Sequence, residues 1–140
     1  MSRNLSALFA LALFVGWTAG EADARCLRYE PATVTLTGRL SERVTPGPPR
    51  YHNIALGDIP EKVLFLALDR PICVTGDPML LRNSRTFAGI EELQVRYTGV
   101  RRSALIGKRV RATGSLFAAH SDSHRTPVIL TAIGMRETDD

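Results

Sequence analysis

The sequence has few of the residue patterns on which enzymes usually depend. It contains two cysteines and three histidines, and it has no G-x-G-x-x-G or P-loop run, because Gly38, Gly114 and Gly134 stand singly in their expected strands. The adjacent Glu91 and Glu92 point to opposite sides of a strand, so they cannot form an acid–base pair. We therefore expect no enzymatic activity, and a hydrolase with an unrecognised site is the alternative.

Long hydrophobic runs are also lacking, except for one near the start of the chain. Residues 5–17 are predominantly apolar, follow Arg3, and precede the small-residue tripeptide Ala22-Asp23-Ala24. This run is shorter than the about 20 apolar residues of a membrane helix and has the form of a secretory signal peptide. We expect a signal peptide at residues 1–24 with cleavage near Ala24, and a periplasmic or secreted protein that is not an integral membrane protein.

The remaining residues, 25–140, suffice for a single domain with one core, and they contain both cysteines of the chain. In an oxidising compartment two cysteines close one disulfide, so we predict a bridge between Cys26 and Cys73. A reactive thiol is the alternative, but neither cysteine lies in a C-x-x-C motif or in an expected helix.

The chain is modestly basic, and acidic residues are missing from one part of it. Its 18 basic and 14 acidic residues give a net charge of +4. Between residues 96 and 111 every charged residue is basic: Arg96, Arg101, Arg102, Lys108, Arg109 and Arg111. This pattern favours an anionic partner, for which the candidates are an envelope protein, an anionic glycan and a lipid. A merely solvated face is the alternative.

Aromatic residues are scarce as well, and near the basic stretch only Tyr97 and Phe117 could stack on a base. Proteins that bind single-stranded nucleic acid usually depend on such stacking, and export would separate this protein from nucleic acid. We therefore expect no nucleic-acid partner. The prediction is a monomeric, non-catalytic binding or accessory module of the bacterial envelope.

Two segments alternate polar and apolar residues with the period of a half-buried strand. They are residues 33–40 and 109–117, and both have the form V-x-x-T-G-x-L. Their interior glycines, Gly38 and Gly114, predict a bulge or sharp bend, where a strand curls to serve two sheets of a small barrel.

The other elements complete an all-β pattern. We predict strands at residues 62–69, 91–97 and 127–135, a short separate β segment at residues 72–74 just after Pro71, and a short helix within residues 100–108 that ends at Gly107. Five strands with one short helix between strands 3 and 4 indicate a small OB-fold-like barrel, and a small open sandwich is the alternative. In the stretch 76–89 we expect a loop whose Met79, Leu80 and Leu81 pack against the core.

Several segments resemble a known family. They are the stretch LIGKRVRATGSLFAAHSDSHRTPVILT at residues 105–131, the start C-L-x-Y-E-P at residues 26–31, and LDRPICV at residues 68–74. Together they resemble a family of small bacterial secreted domains of unknown function. The resemblance implies a periplasmic domain, and it brings no established activity or catalytic residue.

The three histidines all fall in expected loops. His52 follows Tyr51 between strands 1 and 2, whereas His120 and His124 lie between strands 4 and 5. In an OB-fold these two loops flank the same ligand-binding face. We therefore predict a contact surface formed by Tyr51, His52, His120 and His124 with Arg109 and Arg111. The alternative hypothesis is a zinc site formed by His52, His120 and His124.

Overall fold

A computed structural model describes residues 25–139 of the protein. The expected signal peptide at residues 1–24 lies outside the described residues. The described chain forms β1 (Leu27–Arg28), β2 (Val34–Pro46), a 3-10 turn (Ile54–Leu56), β3 (Pro60–Thr75), β4 (Phe87–Arg96), α1 (Arg102–Leu105), β5 (Arg109–Ala118) and β6 (Val128–Glu137). None of the helices in residues 25–139 has the length and hydropathy needed to cross a bilayer.

Five of the strands close into a barrel. Their order is β3-β2-β5-β6-β4, and β4 pairs back with β3 to complete the circle. Neighbours are antiparallel except β4 and β6, which are parallel. This connectivity, with α1 between the third and fourth barrel strands, confirms the predicted OB-fold-like all-β barrel. The short β1 lies outside the barrel and pairs in parallel with β3.

Gly38 and Gly114, the two glycines predicted to bend their strands, lie very close to the backbone of a neighbouring strand. A Cβ on Gly38 would lie 2.2 Å from the carbonyl oxygen of Ala67, and one on Gly114 would lie 2.0 Å from that of Thr131. Gly38 pairs with β3 on one side and β5 on the other. The register between β5 and β6 shifts at Gly114. Both positions therefore need glycine for the barrel to bend and close.

The core consists of the inward-facing residues of all five barrel strands. Its fully buried members include Leu40, Leu66, Leu93, Val110 and Leu130. The alternation that predicted β2 and β5 is the alternation that fills this core.

The second barrel strand, β3, is longer than expected. We predicted separate strands at residues 62–69 and 72–74, but β3 is continuous from Pro60 to Thr75. Pro71, which has no N–H to donate, lies where the pairing of β3 with β4 is interrupted, between Ala67 and Ile72. The pairing of β3 with β2 also ends before it, at Leu68. The proline therefore interrupts no ladder hydrogen bond and does not end the strand.

The prediction for the loop between β3 and β4 is wrong in its apolar residues. Met79 is 88% exposed and Leu81 is 97% exposed, so neither packs against the core. Asn83 is buried in their place, and its side-chain oxygen accepts the backbone N–H of Ala118 at 2.9 Å. The residue of this loop that packs against the barrel is therefore the polar Asn83, which gives a buried backbone N–H at the end of β5 its hydrogen-bond acceptor.

The predicted disulfide between Cys26 and Cys73 is confirmed. It links the segment before β1 to the end of β3, next to the pairing of Leu27 with Val74. The bridge fixes the beginning of the described chain to the barrel, because it closes a loop across a sequence separation of 47 residues.

Candidate functional site

The loop between β5 and β6 (residues 119–127, the β5–β6 loop) is attached to the barrel by one side chain of β4. Gln94 accepts the backbone N–H of Arg125 on its Oε1 at 2.5 Å and donates from Nε2 to the carbonyl of Ser123 at 3.3 Å. Its backbone N–H donates to Oγ1 of Thr126 at 2.9 Å. Gln94 faces away from the core yet is only 8% exposed, because the β5–β6 loop covers it.

Two histidines of this loop pack on each other and on Phe117. The ring centroids of His120 and His124 are 4.6 Å apart, and that of Phe117 lies 5.2 Å from the ring of His124. The backbone N–H of His120 donates to Nδ1 of His124 at 3.0 Å, so this nitrogen carries no proton. Burial, then the nearby charges of His120 and Arg96, lower the pKa of His124. The hydrogen bond to Nδ1 and the burial of the ring both favour the neutral form of His124.

The loop between β2 and β3 (residues 47–59, the β2–β3 loop) is organised around one buried carboxylate. Asp58 accepts the backbone N–H groups of Arg50 at 3.0 Å, His52 at 2.8 Å and Asn53 at 2.8 Å. These hydrogen bonds, of which that from Asn53 has the largest effect, lower the pKa of Asp58 to about 2. An aspartate among turn-forming residues is the sequence signal for a loop of this kind.

The two loops meet, as an OB-fold-like strand order requires. The guanidinium of Arg125 lies 5.3 Å from the ring centroid of Tyr51 and donates a hydrogen bond to the carbonyl of Pro46. Of the predicted contact residues, the structure thus brings Tyr51 to the β5–β6 loop and His120 to His124. The ring of His52 joins neither histidine in the ring contacts found among residues 25–139.

The zinc hypothesis stays a prediction. The structure brings together two of its three ligands, His120 and His124. In the part of the chain that the structure describes, no group of three or more His, Cys, Asp or Glu residues is arranged to hold a metal ion.

A groove of about 490 Å³ lies beside the β5–β6 loop, over β3 and β4. Three of its basic residues are Lys62, Arg96 and Arg102, but Glu42 lies 3.9 Å from Nζ of Lys62 and 3.1 Å from Arg102. Arg96 is exposed, and its side chain has no hydrogen bond or ion pair with another residue in the range 25–139. The groove can hold a small molecule, but one carboxylate already balances much of its positive charge.

A second group of basic side chains lies on the outer face of β2, β5 and β6. Arg39 is directly opposite Arg109, and Arg111 is directly opposite Arg136. Residues directly opposite each other share a face of the sheet. We call this four-residue group, Arg39, Arg109, Arg111 and Arg136, the arginine face.

One carboxylate accompanies the arginine face. Arg109 donates to Asp69 from Nε at 3.1 Å and from a terminal nitrogen at 2.5 Å. The hydrogen bond from Arg109, followed by the charges of Arg109, Arg70 and Arg39, lowers the pKa of Asp69 against the opposing effect of burial. The side chains of Arg111 and Arg136 have no hydrogen bond or ion pair with any other residue of the described range.

The predicted contact surface is therefore divided into two. Arg109 and Arg111 lie at the beginning of β5, whereas Phe117, under the two loop histidines, lies at its end. At about 3.3 Å per residue the strand places Phe117 about 20 Å from Arg111 and about 26 Å from Arg109. Arg109 and Arg111 cannot act on the same small ligand as His120 and His124.

Comparison with known proteins adds one finding. No curated protein matches the chain. A family model does match residues 94–133, a stretch that includes Gln94, α1, β5 and the β5–β6 loop. Over these residues the chain resembles a domain of unknown function (DUF4431), which confirms the resemblance that the sequence indicated.

Proposed function

We propose that the protein is a non-catalytic binding module whose arginine face holds an anionic glycan. The observation that carries this proposal is the pairing of Arg39 with Arg109 and of Arg111 with Arg136 across adjacent strands. Like charges directly opposite each other on a sheet destabilise it. Asp69 balances one of the four positive charges, and an anion from outside the protein would balance the others.

The chemistry of the face suits carboxylate, sulfate or phosphate groups. Each guanidinium offers paired donors in a planar fork that matches such groups, and the guanidinium groups of Arg111 and Arg136 have no hydrogen bond or ion pair among residues 25–139. Arg109 is already oriented by Asp69, so it loses little side-chain freedom when a ligand binds.

The surroundings of the face favour a glycan over a lipid. Threonines continue it along β2 and β5: Thr37 is opposite Arg111, and the hydroxyls of Thr35 and Thr113 lie 3.2 Å apart. Hydroxyl groups that both donate and accept hydrogen bonds suit sugar hydroxyls. Three strands spaced about 4.8 Å apart present the arginines within about 10 Å, a footprint that fits a polymer chain. The predicted export would bring the protein to the envelope, where such a polymer is accessible.

The test measures binding to heparin and to polygalacturonate, which carry sulfate and carboxylate groups. We expect Arg111→Glu/Arg136→Glu to weaken binding by about tenfold or more, since two charge-assisted contacts are lost and reversed. The matched control is Arg28→Glu/Arg101→Glu, which makes the same change in net charge on exposed arginines outside the arginine face. It should change binding much less.

Three outcomes would contradict the proposal. Equal loss of binding in both double variants would mean that net charge alone acts. Binding to anionic lipid vesicles that is lost in Arg111→Glu/Arg136→Glu, with no binding to either polymer, would replace the glycan by a lipid. Shortening of the polymer during incubation would show that the protein is an enzyme, and a hydrolase if no unsaturated uronate end is formed.

A further inference from the structure

The loop between β3 and β4 (residues 76–86, the β3–β4 loop) exposes consecutive apolar side chains at its tip. Met79 and Leu81 are almost fully exposed, and Leu80 between them is 42% exposed. Single exposed apolar residues are common on protein surfaces, but an uninterrupted exposed run marks an interaction site.

The loop is held in this conformation by its own hydrogen bonds. The side chain of Asp77 accepts the N–H of Met79 at 2.9 Å, and its backbone carbonyl accepts the N–H of Leu80 at 2.9 Å. The N–H of Asp77 donates to the carbonyl of Asn83 at 2.9 Å, and the buried side chain of Asn83 binds the end of β5. The apolar tip is therefore presented by an ordered turn that keeps it away from the core.

Basic residues follow the apolar tip directly. Arg82 and Arg85 are both exposed. Arg82 has no hydrogen bond or ion pair with another residue of the described range. The guanidinium of Arg85 lies 5.3 Å from the ring of Phe87, and its backbone carbonyl accepts the hydroxyl of Tyr29 at 2.8 Å. Apolar residues next to arginines fit the boundary between lipid chains and anionic headgroups.

We propose that the β3–β4 loop inserts its tip into the surface of a membrane that contains anionic lipids. Met79 and Leu81 enter the boundary between headgroups and acyl chains, while Arg82 and Arg85 contact lipid phosphates. The occupant is a lipid surface and not a protein pocket because the apolar run occupies a single loop tip flanked by arginines. A stable protein interface needs a broader patch, of about 800 Å² per partner.

The position of the loop makes this proposal independent of the glycan proposal. Asn83 contacts Ala118, the last residue of β5, whereas the arginine face begins at the opposite end of that strand with Arg109. A protein that rests on a membrane through its β3–β4 loop therefore keeps the arginine face away from the lipid. Either interaction can fail without the other.

The first test places a fluorescent reporter at the tip. Leu81→Trp should show a blue shift of its emission when vesicles of phosphatidylcholine and phosphatidylglycerol are added. The control is Val100→Trp, at a fully exposed position in the segment before α1, which should show no shift. Trp17, the one other tryptophan of the sequence, lies in the expected signal peptide, so in the mature protein the introduced residue is the source of the tryptophan emission. Emission of Leu81→Trp that does not respond to these vesicles would overturn the proposal.

The second test measures how strongly variants bind the same vesicles by sedimentation. Met79→Asp/Leu81→Asp should lose at least tenfold in binding, and the matched control Val100→Asp/Ile133→Asp, which changes two exposed apolar residues elsewhere, should lose less than twofold. Arg82→Glu/Arg85→Glu should weaken binding to these vesicles more than to vesicles of phosphatidylcholine alone. Equal losses in the tip and control variants, or equal binding of the unsubstituted protein to both vesicle types, would overturn the proposal.

Discussion

Gln94 on β4 determines where Arg125 lies in the β5–β6 loop, because its side-chain oxygen accepts the backbone N–H of Arg125 at 2.5 Å. Arg125 in turn reaches the ring of Tyr51 and the carbonyl of Pro46. A single amide on the outer face of the barrel thus connects the strand that it belongs to with the β5–β6 and β2–β3 loops.

Replacing this amide by an apolar side chain should therefore destabilise the fold. We expect Gln94→Leu to lower the free energy of unfolding by about 2 kcal/mol, because buried backbone groups of the loop lose their partners. Urea denaturation measures the change as a lower midpoint. The control is Glu91→Leu, at an exposed position of β4, which should change stability by less than about 0.5 kcal/mol. Equal effects would contradict the role assigned to Gln94.

The hydrogen bond from the backbone of His120 to His124 should make the β5–β6 loop sensitive to acid. The pKa of His124 is lowered from its ordinary value of 6.5, so the stabilising contribution of this side chain is complete above about pH 6.5 and is lost as the pH falls toward the folded-state pKa. Hydrogen exchange of the His120 amide should accelerate in this range beyond the intrinsic pH dependence of exchange. In His124→Ala this extra pH dependence should disappear. If it persists, another group controls the loop.

Asp58 should make the protein sensitive to stronger acid. Its pKa is lowered from 3.8 to about 2, so the carboxylate contributes its full stabilisation above about pH 4 and loses it as the pH falls toward 2. Thermal denaturation between pH 2 and pH 5 should show a steeper loss of stability in the unsubstituted protein than in Asp58→Asn. Parallel pH profiles of the two proteins would show that Asp58 does not organise the β2–β3 loop.

Gly114 on β5 and Gly134 on the neighbouring strand β6 should differ in their tolerance of alanine. Gly114→Ala places a Cβ against the backbone of Thr131, and we expect a loss of about 3 kcal/mol or more. Gly134→Ala, on β6, meets no atom within 4 Å and should change stability by less than about 0.5 kcal/mol. Chemical denaturation of both variants measures the difference. A tolerated Gly114→Ala would mean that the strands can separate at this point.

Most of the barrel was predictable because its signals are local. Period-two alternation places Val110 and Ala112 in the core and Arg109 and Arg111 outside it, whatever the neighbouring strand. The continuous β3 was missed because a proline normally ends a central strand. Whether β3 can continue through Pro71 depends on where β2 and β4 stop pairing with it, and this cannot be predicted from the residues around the proline.

The candidate site was predicted only in its parts. The residues that would contact a ligand stand out by type, but their grouping depends on distance along the barrel. The length of β5 separates Arg109 and Arg111 from the paired histidines His120 and His124. The strand register places Arg39 opposite Arg109 and Arg136 opposite Arg111. Arg39 and Arg136 lie far from the basic stretch in sequence, so charge clustering along the chain could not identify them.

The sequence by itself determined most of the strands, the short helix and the glycines at the bends, because each depends on the conformational preferences of residues close together in the chain. It also determined the disulfide, because the chain has two cysteines. The tertiary structure alone decided which arginines share a face and that the Gln94 side chain hydrogen-bonds the β5–β6 loop. It also decided that Met79 and Leu81 are exposed to solvent while Asn83 is buried. These features depend on strand register and on the closure of β4 onto β3, which bring together residues distant in sequence.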